Sequence, residues 1–222
     1  MKKELAVVLL SSGMDSAVCA SVAKEQYRLA FLHVQYGQKS AAKELKCFQK
    51  LCEFFRPEKI LIAEAPFLKK IGGSSLTVED LPIPEDEEGG IPSTYVPFRN
   101  GIFLSIAASW AEVISAKKIF IGVNQVDFSG YPDCRASFIE AFNQAIKEGT
   151  KPETQIEIEA PLLNLSKKEI VLLGVKLGTP FELTWSCYKD TEVACGRCAS
   201  CKLRLKAFRE AGVEDPIPYQ RK

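Results

Sequence analysis

Residues 5–20 read LAVVLLSSGMDSAVCA, and the fold hangs on this stretch. Six consecutive apolar residues, Leu5 to Leu10, meet a Ser/Gly cluster and then a run of good helix formers. A strand apolar at every position is one covered on both faces, so the pattern predicts a buried parallel strand, a tight turn, and a helix over about 15–26. The turn is Ser11-Ser12-Gly13-Met14-Asp15-Ser16. Gly13 permits conformations or close approaches that a side chain would block, and the hydroxyls of Ser11, Ser12 and Ser16 fall beside the unpaired N–H groups of a helix start. That combination attracts anions, phosphate above all. A Ser/Gly/Asp turn is also how strand-to-helix junctions are simply capped. Neither the GxxxxGK[ST] nor the GxGxxG spacing is present, so this is not a Walker loop or a dinucleotide fingerprint.

Beyond the turn the chain alternates. Strands are expected over 29–36, 59–64, 118–123 and 155–160, and helices from Ser40 to about Phe55, over 100–116, 136–147 and 166–177, with a last helix over about 202–211. Between Pro66 and Phe98 the periodicity breaks at Gly72-Gly73-Ser74-Ser75, Pro82, Pro84, the acidic run 85–88, Gly89-Gly90 and Pro92. An irregular insertion of this length reads as a functional lid or a mobile surface excursion, with the lid favoured. The order of elements implies an α/β fold, a doubly wound parallel five-stranded sheet with right-handed crossovers. It occupies residues 1–180, with residues 181–222 as a smaller C-terminal region packed on it. In such sheets ligands sit beyond the carboxyl ends of the strands, where the turn, the loop 36–39 and the loop 124–135 all fall.

Composition narrows the function classes. The 222 residues carry 29 basic and 28 acidic side chains, net +1, and no basic block exceeds two residues, which speaks against a general nucleic-acid or membrane-surface binder. No apolar run reaches bilayer length, and residues 1–20 lack a cleavable signal, so the expected setting is cytoplasmic. The one histidine, His33, lies inside a strand and reads as structural. Of eight cysteines, Cys19, Cys47, Cys52 and Cys134 are scattered, the first three reading as small core residues. The other four close the sequence CYKDTEVACGRCASC at 187–201. Four thiolates at this spacing, Cys187, Cys195, Cys198 and Cys201, suit one tetrahedral Zn²⁺ in a closed structural site; a redox dithiol or an iron–sulfur cluster is the competing account.

The turn resembles the SGGxDS loop of the PP-loop ATP pyrophosphatases, with Ser12 where that family usually has a second Gly; a serine there is expected to take ordinary backbone dihedrals. YGQK at 36–39, VPFRN at 96–100, GVNQVDFSGYPDCR at 122–135, PLLNLSKKEI at 161–170 and ELTWSCY at 182–188, together with CGRCASC, resemble the queuosine-pathway 7-cyano-7-deazaguanine synthase family over nearly the whole chain. Gln35 and Phe98 depart from its usual Asp and Gly. The resemblance implies an adenine-nucleotide α-hydrolase-like sheet and an ATP-dependent ligase that adenylates a 7-carboxylate, admits ammonia, and then activates the amide so that a nitrile remains.

On this resemblance Ser11, Gly13, Asp15 and Ser16 match the pyrophosphate loop, inside a window completed by Leu10, Ser12, Met14, Ala17, Val18, Cys19 and Ala20. Asp15 is expected to cap the helix or hold Mg²⁺, Lys167 to charge-pair with pyrophosphate, and Arg99 to grip a carboxylate or phosphate at the crevice mouth. Asp127, Tyr131 and Asp133 are the substrate-facing candidates, by hydrogen bonding and stacking. With only His33 available as a base, no glutaminase site is expected and free ammonia is the donor. The family pattern carries a homodimer. Two other readings share the loop: a tRNA-thiolating enzyme, and a nucleotide-binding zinc module without catalysis.

Overall fold

The computed structural model describes residues 3–86, 90–126, 130–189 and 192–220. Strand β1, Leu5–Leu9, is buried at all five positions. Leu5, Val7 and Leu9 enter one core while Ala6 and Val8 enter another, as a pleat of period two requires when both faces are covered. β2 (Arg28–Gln35) and β3 (Lys59–Glu64) extend the sheet on one side of β1, and β4 (Lys118–Phe120) and β5 (Glu157–Glu159) on the other. The order β3-β2-β1-β4-β5, parallel at each pairing, is the doubly wound five-stranded sheet read from the sequence. Its direction of winding reverses between β1 and β4, where a crevice opens beyond the strand ends.

Helices cover both faces. α1 (Met14–Gln26), α2 (Ala41–Phe55), α6 (Lys167–Lys176) and α7 (Ala199–Ala211) close over Val8, Phe31 and Phe120. α4 (Arg99–Val113) and α5 (Ala136–Gly149) close over Val7, Leu32 and Ile119. α7 belongs to the main core: Ala207 and Phe208 pack with residues of α1, α2 and α6, and burying a ring of that size contributes about 1.5–3 kcal/mol. No helix among the described residues is long and apolar enough to cross a membrane.

Several boundaries differ from expectation. β4 and β5 are three residues each, shorter than 118–123 and 155–160; the Ile121 N–H still bonds the Glu159 carbonyl, and from Gly122 to Asn124 the chain beyond β4 lines the crevice. α7 begins at Ala199 instead of 202, with extended Cys198 as its N-cap, so Cys201 lies in the first helical turn. α6 starts on a capping box in which Ser166 and Glu169 satisfy each other's backbone N–H. Among its described residues the insertion holds one short helix, α3 (Phe67–Ile71). It is otherwise irregular but well packed: Leu68, Leu76 and Val96 enter the core, Ser74, Ser75 and Thr77 are buried, and Ile83 packs with the four-cysteine cluster.

Arg204 of α7 is the largest fully buried side chain. Its five N–H donors are all used: on Asp215 (2.8 and 2.9 Å), Thr184 Oγ1 (2.7 Å), Ser186 Oγ (3.3 Å) and the Phe181 carbonyl (3.2 Å). A buried cation is tolerated because it is fully hydrogen-bonded. Asp215 also accepts from Tyr219 Oη, which secures the tail to the helix.

His33 is 1% exposed, stacked on Phe48 at 4.7 Å, with Nδ1 2.9 Å from the Leu10 carbonyl and Nε2 buried without a partner among the described residues. Burial lowers its pKa, against the opposing pull of the Leu10 carbonyl and Glu44. With the folded pKa below the unfolded one, about 6.5, this stability is present above that value and is lost as pH falls through the folded pKa. We predict that the urea midpoint drops between pH 7.5 and 5.5 and drops less in His33→Phe. Equal drops in the two proteins would exclude His33 as the source.

Candidate active site

A cavity of about 260 Å³ lies at the carboxyl ends of β1 and β4. One end is built by the turn after β1. Glycine was expected to supply the unusual backbone, yet Gly13 sits at φ −69° as the N-cap of α1, while Ser12 takes φ +69°. The expectation of ordinary dihedrals at Ser12 is therefore overturned: the left-handed residue is a serine, 0% exposed, whose hydroxyl donates to the Ser11 carbonyl and whose carbonyl accepts the Trp185 N–H at 2.9 Å. A short polar side chain bonded locally makes this region tolerable. Ser16 Oγ donates to the Gly13 carbonyl at 2.9 Å and Ser11 Oγ to Ser16 Oγ at 3.2 Å, so the hydroxyls brace the turn and one another. The first N–H groups of α1, which have no intrahelical partner, begin at this end of the cavity.

Asp15 and Lys167 come together from 152 residues apart as an ion pair joining α1 to α6. Both line the cavity. Asp15 Oδ1 is buried with no hydrogen-bond partner among the described residues. A carboxylate oxygen in that state, beside a helix N-terminus, fits a divalent cation accompanying a phosphate.

At the other end stand Tyr36, Arg99, Tyr131 and Tyr188. Arg99 Nη1 donates to Tyr36 Oη at 3.1 Å, and its guanidinium lies 5.4 Å from the Tyr36 ring centre and 5.8 Å from that of Phe103. Its Nε is buried without a partner among the described residues. Burial works against the charge of Arg99, but the neighbouring Tyr36, Tyr131 and Tyr188 more than offset it and raise the pKa. Arg99 opens α4 behind Phe98, which stands at φ +55° where the resemblance has Gly. Its ring lies over Gly101, where a Cβ would come within 2.3 Å of it.

The structure separates some of the expected site residues from the cavity. Leu10, Ser11, Gly13, Met14, Asp15 and Ser16 line it, whereas Ser12, Ala17, Val18, Cys19 and Ala20 do not; the last four are 0% exposed and belong to the core. Tyr131 lines it, its hydroxyl 2.7 Å from Thr94 Oγ1. Asp133 does not. Its Oδ2 accepts the Asn100 N–H at 2.9 Å and its carbonyl the Asn100 side-chain amide at 3.2 Å, so it anchors the start of α4; burial raises its pKa. Asp127 and Phe128 lie outside the described residues. Cys134 reaches the cavity, but burial, with Asp133 adding to it, pushes its thiol up to about 11, far from a ready nucleophile.

Sequence reasoning missed Glu44, Gly122, Trp185 and Arg204, all in the lining. Of the glycines lining the cavity, Gly122 carries the closer backbone approach: a Cβ there would stand 3.0 Å from the Asp15 carbonyl group and Ser16 N. We predict that Gly122→Ala shifts the turn by a few tenths of an ångström and lowers turnover at this site about tenfold, given the rate losses that small misplacements cause. Wild-type kinetics in that variant would show that the approach is not used.

The four sulfurs of Cys187, Cys195, Cys198 and Cys201 lie within 4.8 Å of one another and are buried. Around a metal at about 2.3 Å, tetrahedral sulfurs stand about 3.8 Å apart, and Cys195 and Cys201 are 4.0 Å apart. The N–H groups of Cys195, Arg197 and Cys198 point at these sulfurs at 3.3–3.4 Å, which favours thiolates and orients them. The cluster can hold a metal. Trp185 packs against it and donates Nε1–H to the Cys187 carbonyl at 3.0 Å.

A family described as "Queuosine biosynthesis protein QueC" matches residues 5–212. The chain is 54% identical over 218 residues to a protein named 7-cyano-7-deazaguanine synthase from Chloroherpeton thalassium, covering 97% of this chain and 96% of that one. It is 51% identical over 224 residues to one of the same name from Nautilia profundicola, with both chains covered in full. Among solved structures, NMN synthetase from Francisella tularensis superposes with a TM-score of 0.50 at 15% identity, over 96% of this chain and 79% of that one. This last likeness bears on the fold alone.

Proposed function

Since the chain belongs to the queuosine biosynthesis protein QueC family, we propose that it is an ATP-dependent synthase that turns 7-carboxy-7-deazaguanine and ammonia into the 7-nitrile. The observation that carries the reading is the shared cavity, with the Asp15–Lys167 pair and the serine turn at one end and Arg99 among tyrosines at the other. A carboxylate oxygen is a poor leaving group until it is activated, and adenylation makes AMP the leaving group. The turn N–H groups and Lys167 receive the departing pyrophosphate, and Arg99 holds the carboxylate against the α-phosphate. Asp15 is the residue that would hold Mg²⁺, which supplies charge neutralisation at the phosphates. Ammonia then displaces AMP, and a second round on the amide oxygen leaves the nitrile.

The four cysteines hold Zn²⁺ in the same proposal. Four thiolates saturate it, leaving no open position, so its contribution is to folding. A homodimer in the cytoplasm belongs to the proposal too; exposed Ile60 and Ile62 on edge strand β3 offer apolar surface for pairing, which sedimentation can check.

Incubation with ATP, ammonium and 7-carboxy-7-deazaguanine is expected to yield nitrile, AMP and pyrophosphate. Transfer of AMP to tRNA would favour a thiolating enzyme instead, and nucleotide binding without turnover a non-catalytic module. Turnover with glutamine equal to that with ammonium, with no added protein, would refute free ammonia as donor.

A further inference from the structure

Among the described residues only two acids line the cavity, Asp15 and Glu44. Asp15 is engaged by Lys167 at the phosphate end. Glu44 belongs to the other end: it sits in the first turns of α2, where the helix dipole favours an anion, and is tied to Tyr36 by a short relay. The Tyr36 N–H donates to Gln38 Oε1 at 2.9 Å, and Gln38 Nε2 donates to Glu44 Oε2 at 2.8 Å. Ser40 Oγ donates to Glu44 Oε1 at 2.5 Å. One donor thus fixes each oxygen, and Gln38 and Ser40 are themselves buried.

A carboxylate offers about four lone-pair positions, so each Glu44 oxygen keeps one free position in a fixed orientation. Two parallel acceptors complement two parallel N–H donors. Resting on the function proposed above, we infer that Glu44 is the specificity residue for the substrate's pyrimidine edge, accepting from the ring N–H and the 2-amino group while Arg99 takes the carboxylate on the other ring. The flat bicycle then has an anion at one end and a cation at the other, with Tyr36 adjoining both. Gln38 and Ser40 are positioning residues for Glu44. This reassigns to α2 the recognition that sequence reasoning gave to the loop 127–133.

The test compares kcat/KM for 7-carboxy-7-deazaguanine with that for its 2-desamino analogue. The wild type is expected to prefer the amino compound on the order of 100-fold, because the analogue leaves unpaired an acceptor that the bound ring shields from water. Glu44→Gln should compress that preference to within a few-fold, Glu44→Asp should restore part of it, and the ATP Kd should stay within about twofold throughout. Retention of the full preference by Glu44→Gln would overturn the inference while leaving the nitrile synthase reading in place. A wild type that binds ATP but converts neither compound would overturn that reading and the inference with it. Should Glu44→Gln not fold, Gln38→Leu keeps the carboxylate but frees it: a preference reduced at least fivefold at unchanged ATP affinity supports the inference, and an unchanged preference refutes it.

Discussion

Asp15→Asn is expected to cut AMP formation on the order of 10²–10³-fold, the scale seen when one preorganised charge-stabilising group is removed from an active site. The substitution keeps shape and one bond to Lys167 but removes the charge that pairs with it and the carboxylate oxygen left without a partner. Lys167→Met is expected to cost a similar factor. Because the two side chains act as one unit across α1 and α6, the double variant should be little worse than the poorer single one, where independent residues would multiply their losses. Quenched-flow release of AMP, with thermal melting as the control for folding, checks this. More than a tenth of wild-type turnover in either single variant, or fully multiplicative losses, would remove the pair from the phosphate end of the reaction.

Metal removal should have the largest effect on stability. Structural zinc in small domains contributes about 10–16 kcal/mol on binding, comparable with the whole stability of a typical domain. In the metal-free protein or in Cys198→Ser, the segment from Trp185 to α7 is expected to loosen, with a melting midpoint at least about 10 °C lower, several kcal/mol at this chain length. Fluorescence should assign the loss. Trp185 lies in the cysteine cluster and should shift to the red, while Trp110 on α4 stays unchanged. Metal analysis should give about one zinc per chain. Iron with visible absorbance would refute zinc, and an unchanged midpoint after chelation would refute the structural role.

The residues that could be read in advance were those whose neighbours are close in sequence. The run Leu5–Leu10 announces a doubly covered strand without help from the rest of the chain, and the spacing of four cysteines within fifteen residues specifies a converging set of sulfurs. What stayed hidden depends on long-range packing. Nothing about a lone glutamate in an amphipathic helix marks it as facing a cavity, and Gly122 matters only because β4 runs beside the turn that follows β1. Asp133 is a substrate candidate only through the resemblance of its loop to the family's recognition segment. Its actual partner, the first turn of α4, is 33 residues away. Ser12 and Phe98 show a different failure: left-handed backbone is normally flagged by glycine, and here the two positions carry other side chains, held there by local bonds and by the ring over Gly101.

The Trp185 N–H bond to Ser12 and the Arg204 clamp have a bearing on how the enzyme is born. Domains are assembled in the order in which the ribosome releases them. A nascent chain that has emerged only as far as residue 180 already owns the serine turn and Lys167, but not the wall made by Trp185, Tyr188 and Arg204. The serine turn, Glu44, Arg99 and Lys167 are therefore synthesised first, and the wall of Trp185, Tyr188 and Arg204 is the last part of the cavity to be made.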